Sequence, residues 1–522
     1  MPTAPQIVIV GSGHNGLVAA SYLARAGAKV LVLEARGPIG GCCVTEELFP
    51  GFQVSTCSYV CHLLQDKVID ELELERHGFS VYPVDPGRMQ PLSGDNALRI
   101  WHDEERTAEE IRRLAAPDAD GYLRWVQFWR RACGILAPHF LTEPPSLAEL
   151  AAKVAGTPDE TVFERMLTGN MKDLVEEHFT SADMRAAFID AHDAGDTSAP
   201  GNILPIAYLK ANMLRDPHRV GIPKGGMGSI TQAMAKAARE HGVEIRSNTP
   251  VKQIRVHQGR TVGVTLEDGE QLDADLVLSN ADPKRTFLKL MDPNDLGADF
   301  VNSIQLLKTN LSCLKFHGIV RALPDFSRYL GSDSNPHDLG SIRICPSVAY
   351  FEQSWDDARR GLPSSCPIIQ VQIPTVYDDS IAPPGQHIVS AWVTYAPVRL
   401  RQGSWDDVKP QVGESLIDHI NQHAPNFRDS LIDWDMFTPL DLERRMNLTD
   451  GNIRHLDLIG EQLLAERPNR LLSNYRTPIE GLYLCGSGTH PGGDVTGAPG
   501  HNAAHAVIRD LGLGKSDPDS QT

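Results

Sequence analysis

Cysteine is scarce in this chain, with nine residues among 522. The nine are scattered and odd in number, and no pair of them has the spacing of a zinc site. This pattern argues against the disulfide framework of small secreted proteins. We therefore expect a reducing compartment and a cytoplasmic location, and no structural metal.

Basic residues are also in deficit, because 49 Lys and Arg stand against 67 Asp and Glu, a formal net charge of -18. Such a surface repels nucleic acids and anionic membranes on average, so we expect neither as a main partner. No basic segment precedes the first apolar strand, which argues against a targeting signal. Residues 6–24 carry no formal charge, but their glycines suit a tight turn better than a membrane-spanning helix.

Internal repeats and low-complexity tracts are absent as well, while the length exceeds that of one ordinary core. The chain opens with a complete βαβ pattern. A buried strand at residues 6–10 is followed by a glycine-rich turn, a helix at 17–26 and a second strand at 29–33. This order of elements predicts a Rossmann-type dinucleotide-binding unit.

The turn of this unit has the sequence Gly11-Ser-Gly13-His-Asn-Gly16. Gly11 permits the tight turn, Gly13 lets a pyrophosphate approach the backbone, and Gly16 lets helix and strand pack closely. The helix N-terminus offers free N–H groups to the phosphates. Glu34 ends the second strand, where its carboxylate can accept hydrogen bonds from ribose hydroxyls and would repel the 2′-phosphate of NADP.

Two further segments favour FAD over NAD. Arg36 and the pair Gly40-Gly41 follow Glu34 directly, and a longer dinucleotide needs more small residues and backbone amides along its path. Near the C-terminus, residues 481–497 form a strand that enters a glycine-dense loop, and a helix is predicted at 498–511. The N-terminus of that helix would face the flavin and stabilise negative charge on the reduced ring.

The remaining segments suggest a second domain. Residues 62–220 are predicted to be mostly helical, residues 305–400 to form a second sheet, and residues 405–465 to be helical. We therefore predict a discontinuous FAD-binding domain with an inserted substrate domain. The FAD-binding domain comprises residues 1–61, 221–290 and 470–512, and the substrate domain comprises residues 62–220 and 291–469.

Three segments together resemble the phytoene desaturase (carotenoid and retinoid oxidoreductase) family. They are the N-terminal unit with Gly40-Gly41, Ser279-Asn-Ala-Asp-Pro283, and Leu484-Cys-Gly-Ser-Gly-Thr-His-Pro-Gly492. Residues 223–228 and 382–385 are similar to one subgroup of that family. The resemblance implies an α/β fold, namely a Rossmann-type FAD-binding domain of the amine oxidase and phytoene desaturase kind with an inserted α+β substrate domain. It also implies one FAD and hydride removal from an apolar substrate.

The resemblance places Val251 against the adenine, and Gly486 and Val495 along the diphosphate and the flavin ring. This chain departs from the family pattern at Asp494, where we expect a small residue. The candidate FAD-binding residues are Gly11, Gly13, His14, Asn15, Gly16, Glu34, Ala35, Arg36, Gly40, Gly41, Cys42, Val251, Gly486, Gly493, Asp494 and Val495.

Other motifs are missing. No second glycine-rich turn follows a strand, so we expect reoxidation of the flavin by oxygen, a quinone or a partner protein rather than by a bound nicotinamide. Cys42 and Cys43 follow Gly41, but Glu47 and Leu48 occupy the positions where a disulphide reductase has its second thiol. His501 and His505 share a helix face without further metal ligands.

The candidate catalytic groups are His490 and Asp494, although His490 could also brace its loop and Asp494 could cap a turn. The leading hypothesis is an FAD-dependent oxidoreductase that removes hydride from an isoprenoid-, carotenoid- or lipid-like substrate. The alternatives are an amine oxidase-like enzyme and a flavin-binding regulatory protein with a protein partner. A lipid substrate would allow peripheral membrane contact, and the sequence leaves the oligomeric state open.

Overall fold

A computed structural model describes residues 4–331 and 335–514 of the chain. The strands are β1 (Gln6–Val10), β2 (Lys29–Leu33), β3 (Thr45–Phe49), β4 (Phe52–Ser55), β5 (Val81–Pro83), β6 (Arg88–Pro91), β7 (Ala97–Ile100), β8 (Gly221–Pro223), β9 (Glu244–Arg246), β10 (Val251–His257), β11 (Arg260–Leu266), β12 (Gln271–Asp273), β13 (Leu276–Ser279), β14 (Leu311–Val320), β15 (Ile342–Ile344), β16 (Ile368–Gln372), β17 (His387–Pro397), β18 (Leu431–Phe437) and β19 (Leu482–Leu484).

The α-helices are α1 (His14–Arg25), α2 (Asp66–Glu71), α3 (Glu104–Leu114), α4 (Asp118–Leu136), α5 (Leu147–Val154), α6 (Glu160–Thr168), α7 (Met171–His178), α8 (Ala182–Phe188), α9 (Ile203–Asn212), α10 (Gly228–Glu240), α11 (Pro283–Leu288), α12 (Ala298–Gln305), α13 (Ser327–Leu330), α14 (Val348–Arg359), α15 (Trp405–His423), α16 (Phe427–Ser430), α17 (Pro439–Met446) and α18 (Ala498–Leu511). None of the helices within residues 4–331 and 335–514 combines the length and the hydrophobicity of a membrane-spanning segment.

A five-stranded parallel sheet with the order β19-β13-β1-β2-β9 gathers pieces from both ends of the chain. Strands β1, β2 and β13 are buried on both sides and consist of nearly continuous apolar residues. Helices α1, α10 and α18 cover one face, and strands β10 and β11 pack against the other. This sheet confirms the predicted α/β class, and helix α18 has the predicted bounds.

A seven-stranded mixed sheet with the order β18-β14-β17-β16-β15-β6-β7 forms the second half of the molecule. One face of this sheet packs on α15 around Phe316, Val371 and Ile417. Helices α3 to α9, from the predicted insertion, build a separate core around Trp125 and Phe179. All of these strands and helices come from residues 62–220 and 291–469, the two segments predicted to form the substrate domain.

Alternation along the strands gives the two faces of this sheet different chemistry. Phe316, Ala391, Val371 and Ile342 form one cross-strand row, which lies in the apolar core. Each of these residues is followed or preceded in sequence by a polar or aromatic neighbour on the opposite face. That second row consists of Lys315, Trp392, Gln370 and Arg343.

The sequence-based prediction of helix for residues 405–465 is wrong in its middle. Helices α15 and α17 are present, but residues 431–437 form edge strand β18, paired antiparallel with β14. Its sequence, Leu-Ile-Asp-Trp-Asp-Met-Phe, contains charged residues on one exposed edge, which is common in edge strands. Pairing with a distant strand decides its conformation, and no local periodicity reports that pairing.

Candidate functional site

The carboxyl ends of β1, β2 and β13 open into a cavity of about 310 Å³ at the start of helix α1. This is the place where doubly wound sheets bind nucleotides. We call it the nucleotide cleft. Its lining residues are Val10, Gly11, Gly13, His14, Asn15, Leu33, Glu34, Ala35, Arg36, Gly41, Cys42, Pro250, Val251, Glu267, Asn280, Ala281, Asp282, Arg285, Leu290, Met446, Asn447, Leu448, Ile453, His455 and Ser487.

The glycines at the start of α1 are required by close approaches. A Cβ atom on Gly16 would lie 2.3 Å from the carbonyl oxygen of Gly11, so helix and turn could not pack as they do. A Cβ atom on Gly13 would lie 2.7 Å from Nδ2 of Asn280. Asn280 itself donates from Nδ2 to the carbonyl of Gly11 at 3.3 Å and thereby ties β13 to the turn. The first residues of α1 are consequently free to receive phosphate groups.

Glu34 is buried at the end of β2 and shapes the turn. Its Oε2 accepts from the backbone N–H of Ser12 at 2.9 Å and from Oγ of Ser12 at 2.6 Å, and its Oε1 accepts from the N–H of Arg36 at 2.9 Å. A carboxylate can accept more hydrogen bonds than these, so contact with ribose hydroxyls remains open to it. The Arg36 guanidinium lines the cleft but pairs with Glu46 at 2.6 Å.

The cleft holds buried polar atoms that lack partners within the described chain. They are Nε2 of His14, Oδ1 of Asn15 and Nδ1 of His455. Burial lowers the pKa of His14 to about 4 and that of His455 to about 3, so both rings are neutral near pH 7. Unsatisfied buried polar groups are costly, and a polar dinucleotide in the cleft would supply their partners. The residues present therefore fit the expected cofactor.

A second cavity, of about 180 Å³, shares His14, Cys42 and Ile453 with the nucleotide cleft. We call it the middle chamber. Its lining residues are His14, Cys42, Cys57, Ser58, Tyr59, Val60, His62, Leu63, His192, Leu209, Trp392, Ile453, Arg454, Asp494 and Val495. Seven of the fifteen are aliphatic residues, Tyr or Trp, and burial lowers the pKa of His62.

Asp494 lies in the wall of the middle chamber, where Arg454 holds it. Its Oδ1 lies 3.3 Å from Nε of Arg454, and Nη1 of Arg454 contacts Asp193 at 3.1 Å. Burial opposes ionisation of Asp193, but the charges of Arg454 and His192 outweigh burial and hold its pKa well below the usual range. One guanidinium thus joins two carboxylates at the centre of the site.

His490 lies behind the chambers rather than in their walls. Its Nδ1 is 2.8 Å from the hydroxyl of Tyr208, and its Nε2 is 2.8 Å from the carbonyl of His139. The ring is fully buried, and burial lowers its pKa to about 4. The His490 ring therefore supports its loop through Tyr208 and His139, which is one of the two roles expected from the sequence. It does not line the chamber wall in which Asp494 lies.

Some of the other expected cofactor residues line the cavities, and the rest pack against neighbouring segments of the chain. Val495 lines the middle chamber, and Val251 lines the cleft. Gly40, Gly486 and Gly493 instead pack against neighbouring chain. A Cβ atom would lie 2.4 Å from Oγ1 of Thr231 at Gly40, 2.7 Å from the carbonyl oxygen of Asn280 at Gly486, and 2.8 Å from Cα of Arg454 at Gly493.

Two thiols meet at the boundary between cleft and middle chamber. Cys42 and Cys57 both line the middle chamber, and contact with Cys57 together with burial raises the pKa of the Cys42 thiol well above its usual value. A protonated thiol is a weak nucleophile. The sequence pattern of a disulphide reductase points only to positions 47 and 48 as partners of Cys42 and Cys43. Hairpin β3–β4 instead brings Cys57 close to Cys42. In the described ranges, no group of His, Cys, Asp and Glu residues is arranged for a metal ion.

A third cavity, of about 170 Å³, shares Tyr59, His192, Trp392, Ile453 and Arg454 with the middle chamber. We call it the polar chamber. Its lining residues are Tyr59, Arg88, Asp190, His192, Asp193, Leu311, Ser312, Cys313, Arg343, Phe351, Ile368, Gln370, Trp392, Thr394, Tyr395, Asn452, Ile453 and Arg454. Sequence reasoning missed this set because its members come from separate strands and loops, and the only local signal is an Arg between two isoleucines in β15.

The sequence of this chain is similar to a known protein family and to several known proteins. The model of the family described as flavin containing amine oxidoreductase matches residues 16–428. The chain is 34% identical to pyridine nucleotide-disulfide oxidoreductase domain-containing protein 2 of Mus musculus, over 97% of this chain and 93% of that protein. It is 28% identical to one of the limonene dehydrogenase subunits of Castellaniella defragrans, over 97% of this chain and 95% of that protein.

A more distant relative is the lycopene-forming phytoene desaturase of Pantoea ananas, 24% identical over 96% of this chain and 99% of that protein. Among solved structures, cyclohexylamine oxidase from Brevibacterium oxydans matches with a TM-score of 0.57 and 16% identity, over 98% of this chain and 100% of that chain. These similarities confirm the expected fold, the resemblance to phytoene desaturases and FAD as the cofactor.

Proposed function

Because the chain belongs to the flavin containing amine oxidoreductase family and is an FAD-dependent oxidoreductase, we propose that it removes hydride from a carbon atom of a largely apolar substrate. The reacting part of the substrate would occupy the middle chamber. An isoprenoid- or lipid-like chain fits this proposal. The limonene dehydrogenase relative carries the name of a hydrocarbon substrate, which supports the same class.

The observation that carries the proposal is that the nucleotide cleft adjoins the middle chamber. His14, Cys42 and Ile453 line both cavities, so a group held in the cleft would lie next to a group held in the chamber. Leu209 and Val495 contribute aliphatic walls to the same chamber. Such walls orient an apolar chain and exclude water, which would otherwise compete for the reacting groups.

Bound FAD supplies the hydride acceptor, and the residues of the nucleotide cleft would hold it. Loss of hydride from one carbon and of a proton from its neighbour leaves a double bond in the substrate. Asp494 is our candidate for receiving that proton, since it lines the chamber and its Oδ1 lies 3.3 Å from Nε of Arg454. Electrons would then pass to oxygen, a quinone or a partner protein.

Anaerobic reduction of the FAD-loaded protein tests this proposal. The flavin absorbance is followed while monoterpenes, polyenes, fatty acids and primary amines are added in turn. We expect bleaching by an apolar class and the appearance of an additional double bond in the recovered product. A bound flavin that no compound reduces would contradict the proposal and favour a regulatory role for the protein.

Asp494→Asn tests the proton-accepting role with a matched control. The substitution keeps the size of the side chain and removes its basicity, so flavin reduction should slow by about a hundredfold or more. Asp196→Asn, at an exposed position, should leave the rate unchanged. Equal rates for both variants would remove Asp494 from the chemistry while leaving the oxidoreductase assignment in place.

An amine oxidase-like reaction is the second candidate, and one observation favours it. Asp193 and Asp494 both contact Arg454, and Nδ1 of His192 lies 3.5 Å from Oδ1 of Asp193, so two carboxylates are concentrated at this end of the site. Aromatic rings of Tyr59 and Trp392 stand next to these carboxylates. Such an arrangement would attract an ammonium group. Bleaching by primary amines alone, with release of the corresponding aldehyde, would establish this alternative.

A further inference from the structure

Two arginines in the polar chamber stand on neighbouring strands of the seven-stranded sheet. Arg88 begins β6 and Arg343 is the middle residue of β15, and these strands pair in parallel with Ile342 opposite Met89. Since Ile342 and Met89 face the apolar core, alternation directs Arg88 and Arg343 to the other face. Both arginines consequently line the same cavity.

Hydrogen bonds to backbone carbonyls use only some of the guanidinium N–H donors of Arg88 and Arg343. Arg343 donates to the carbonyls of Ala186 and Ala187 at 3.2 Å and of Ile189 at 2.8 Å, which caps the C-terminal end of α8. Arg88 donates from Nη2 to the carbonyl of Ala187 at 2.7 Å. Nε of Arg88 is buried and has no partner in the described chain. Capping therefore leaves donors of Arg88 unused.

The positive charges of Arg88 and Arg343 are also not matched by paired carboxylates. Among the described residues, neither guanidinium has a carboxylate within the 4.0 Å limit of an ion pair. Asp193 is engaged with Arg454, and Asp190, the other carboxylate of the chamber, accepts the backbone N–H groups of Ala191 and His192. Burial and the charge of Arg343 lower the pKa of Arg88 to about 9, as expected for a cation short of negative partners.

We propose that Arg88 and Arg343 bind a carboxylate of the substrate, which makes the substrate an amphipathic acid rather than a pure hydrocarbon. This inference rests on the proposed function and names the substrate class. The apolar part of the acid reaches the middle chamber past Tyr59 and Trp392, which line both cavities. A planar carboxylate matches the fork of a guanidinium, and Asp190 offsets the charges of the two arginines only in part.

Ligand binding to the oxidised, FAD-loaded protein tests the inference without any turnover. Decanoate, decanol, decylammonium and decyl phosphate share one chain and differ in their head groups. Binding is followed by the shift of the flavin absorption spectrum and, in parallel, by titration calorimetry. We expect decanoate to bind at least about tenfold more tightly than decanol, because charge-assisted hydrogen bonds are stronger than neutral ones.

Variants identify the residues responsible. Arg88→Gln and Arg343→Gln should each weaken decanoate binding by about tenfold or more and leave decanol binding unchanged. Arg88→Lys, which keeps the charge, should lose less. Arg99→Gln is the matched control, because Arg99 lies on the adjacent strand β7 and is paired with Glu110 and Asp338 outside the chamber.

Equal binding of decanoate and decanol by the unaltered protein would overturn the inference, whatever the variants do to folding. Tighter binding of decyl phosphate or decylammonium than of decanoate would overturn the carboxylate assignment. Loss of decanoate and decanol binding together in the Gln variants would show that the arginines only cap α8. Because none of these measurements requires flavin reduction, their outcome is independent of whether the proposed dehydrogenation is correct.

Discussion

Lys315 is buried to 1% exposure in β14, and replacing it should stabilise the protein at neutral pH. Its Nζ donates to Oγ of Ser390 at 2.5 Å and lies 4.6 Å from the ring centre of Tyr59. Among the described residues it forms no ion pair within 4.0 Å. Burial lowers the pKa of Lys315 from its usual 10.5 to about 7. Lys315→Met removes the charge and keeps nearly the same volume.

The size of the effect follows from proton linkage. In the folded state the lysine binds its proton only below about pH 7, whereas the unfolded chain binds it below about pH 10.5. Stability is therefore lost progressively as the pH falls between these two values, and the loss stays constant at lower pH. A difference of this size costs about 4 kcal/mol near neutral pH. Losing the hydrogen bond to Ser390 offsets about 1 kcal/mol of the gain.

We therefore expect Lys315→Met to raise the free energy of unfolding by about 3 kcal/mol near pH 7. Near pH 10 the gain should vanish to within about 1 kcal/mol, because little of the linkage cost is left there to offset the lost hydrogen bond. Urea unfolding in saturating FAD, followed by tryptophan fluorescence at both pH values, measures the difference. Lys224→Met, at an exposed position, serves as the control and should show no such dependence on pH. A gain that is the same at both pH values would refute the linkage argument.

Two further substitutions test the support of the site. Gly13→Ala should weaken FAD binding by about tenfold or more, as judged by quenching of flavin fluorescence, because the added Cβ atom would lie 2.7 Å from Nδ2 of Asn280. Gly134→Ala in α4, where a Cβ atom meets nothing within 4 Å, should leave FAD affinity unchanged. His490→Gln should lower the free energy of unfolding by about 2 kcal/mol through its contacts to Tyr208 and His139. In the same variant, the rate of flavin reduction by substrate should stay within about twofold of that of the parent protein. A hundredfold lower rate would show that His490 takes part in catalysis.

Local pattern was sufficient to predict the strand, turn and helix that begin the nucleotide cleft. The turn at Gly11 to Gly16 and the acidic end of β2 lie within one short stretch, and their spacing alone specifies a strand, a tight turn and a helix. Helix α18 was equally predictable, since Gly497 precedes it and Gly512 ends it, both with left-handed backbone angles. In the turn and in the helix, the residues that decide the conformation are close together in sequence.

The chambers were beyond such reasoning because their walls are assembled by long-range pairing. His490 and Asp494 are four residues apart in one loop, yet one is packed behind the site and the other lines it. Nothing in the loop sequence specifies these directions. Strand β18 shows the same limit for secondary structure, since its conformation depends on pairing with β14, more than a hundred residues earlier in the chain.

The distribution of charge ties the two substrate hypotheses together. At one end of the adjoining chambers, Asp193 and Asp494 contact Arg454, and His192 lies beside Asp193; at the other, Arg88 and Arg343 form no ion pair among the described residues. The first end offers carboxylates to a cation and the second offers guanidinium groups to an anion, and a plain hydrocarbon would pair with neither. An acid whose chain passes Tyr59 and Trp392 would pair with the second end, and an amino group near Asp494 would pair with the first. The head-group preference of the oxidised protein therefore decides more about its chemistry than the fold, which is shared by oxidases and dehydrogenases alike.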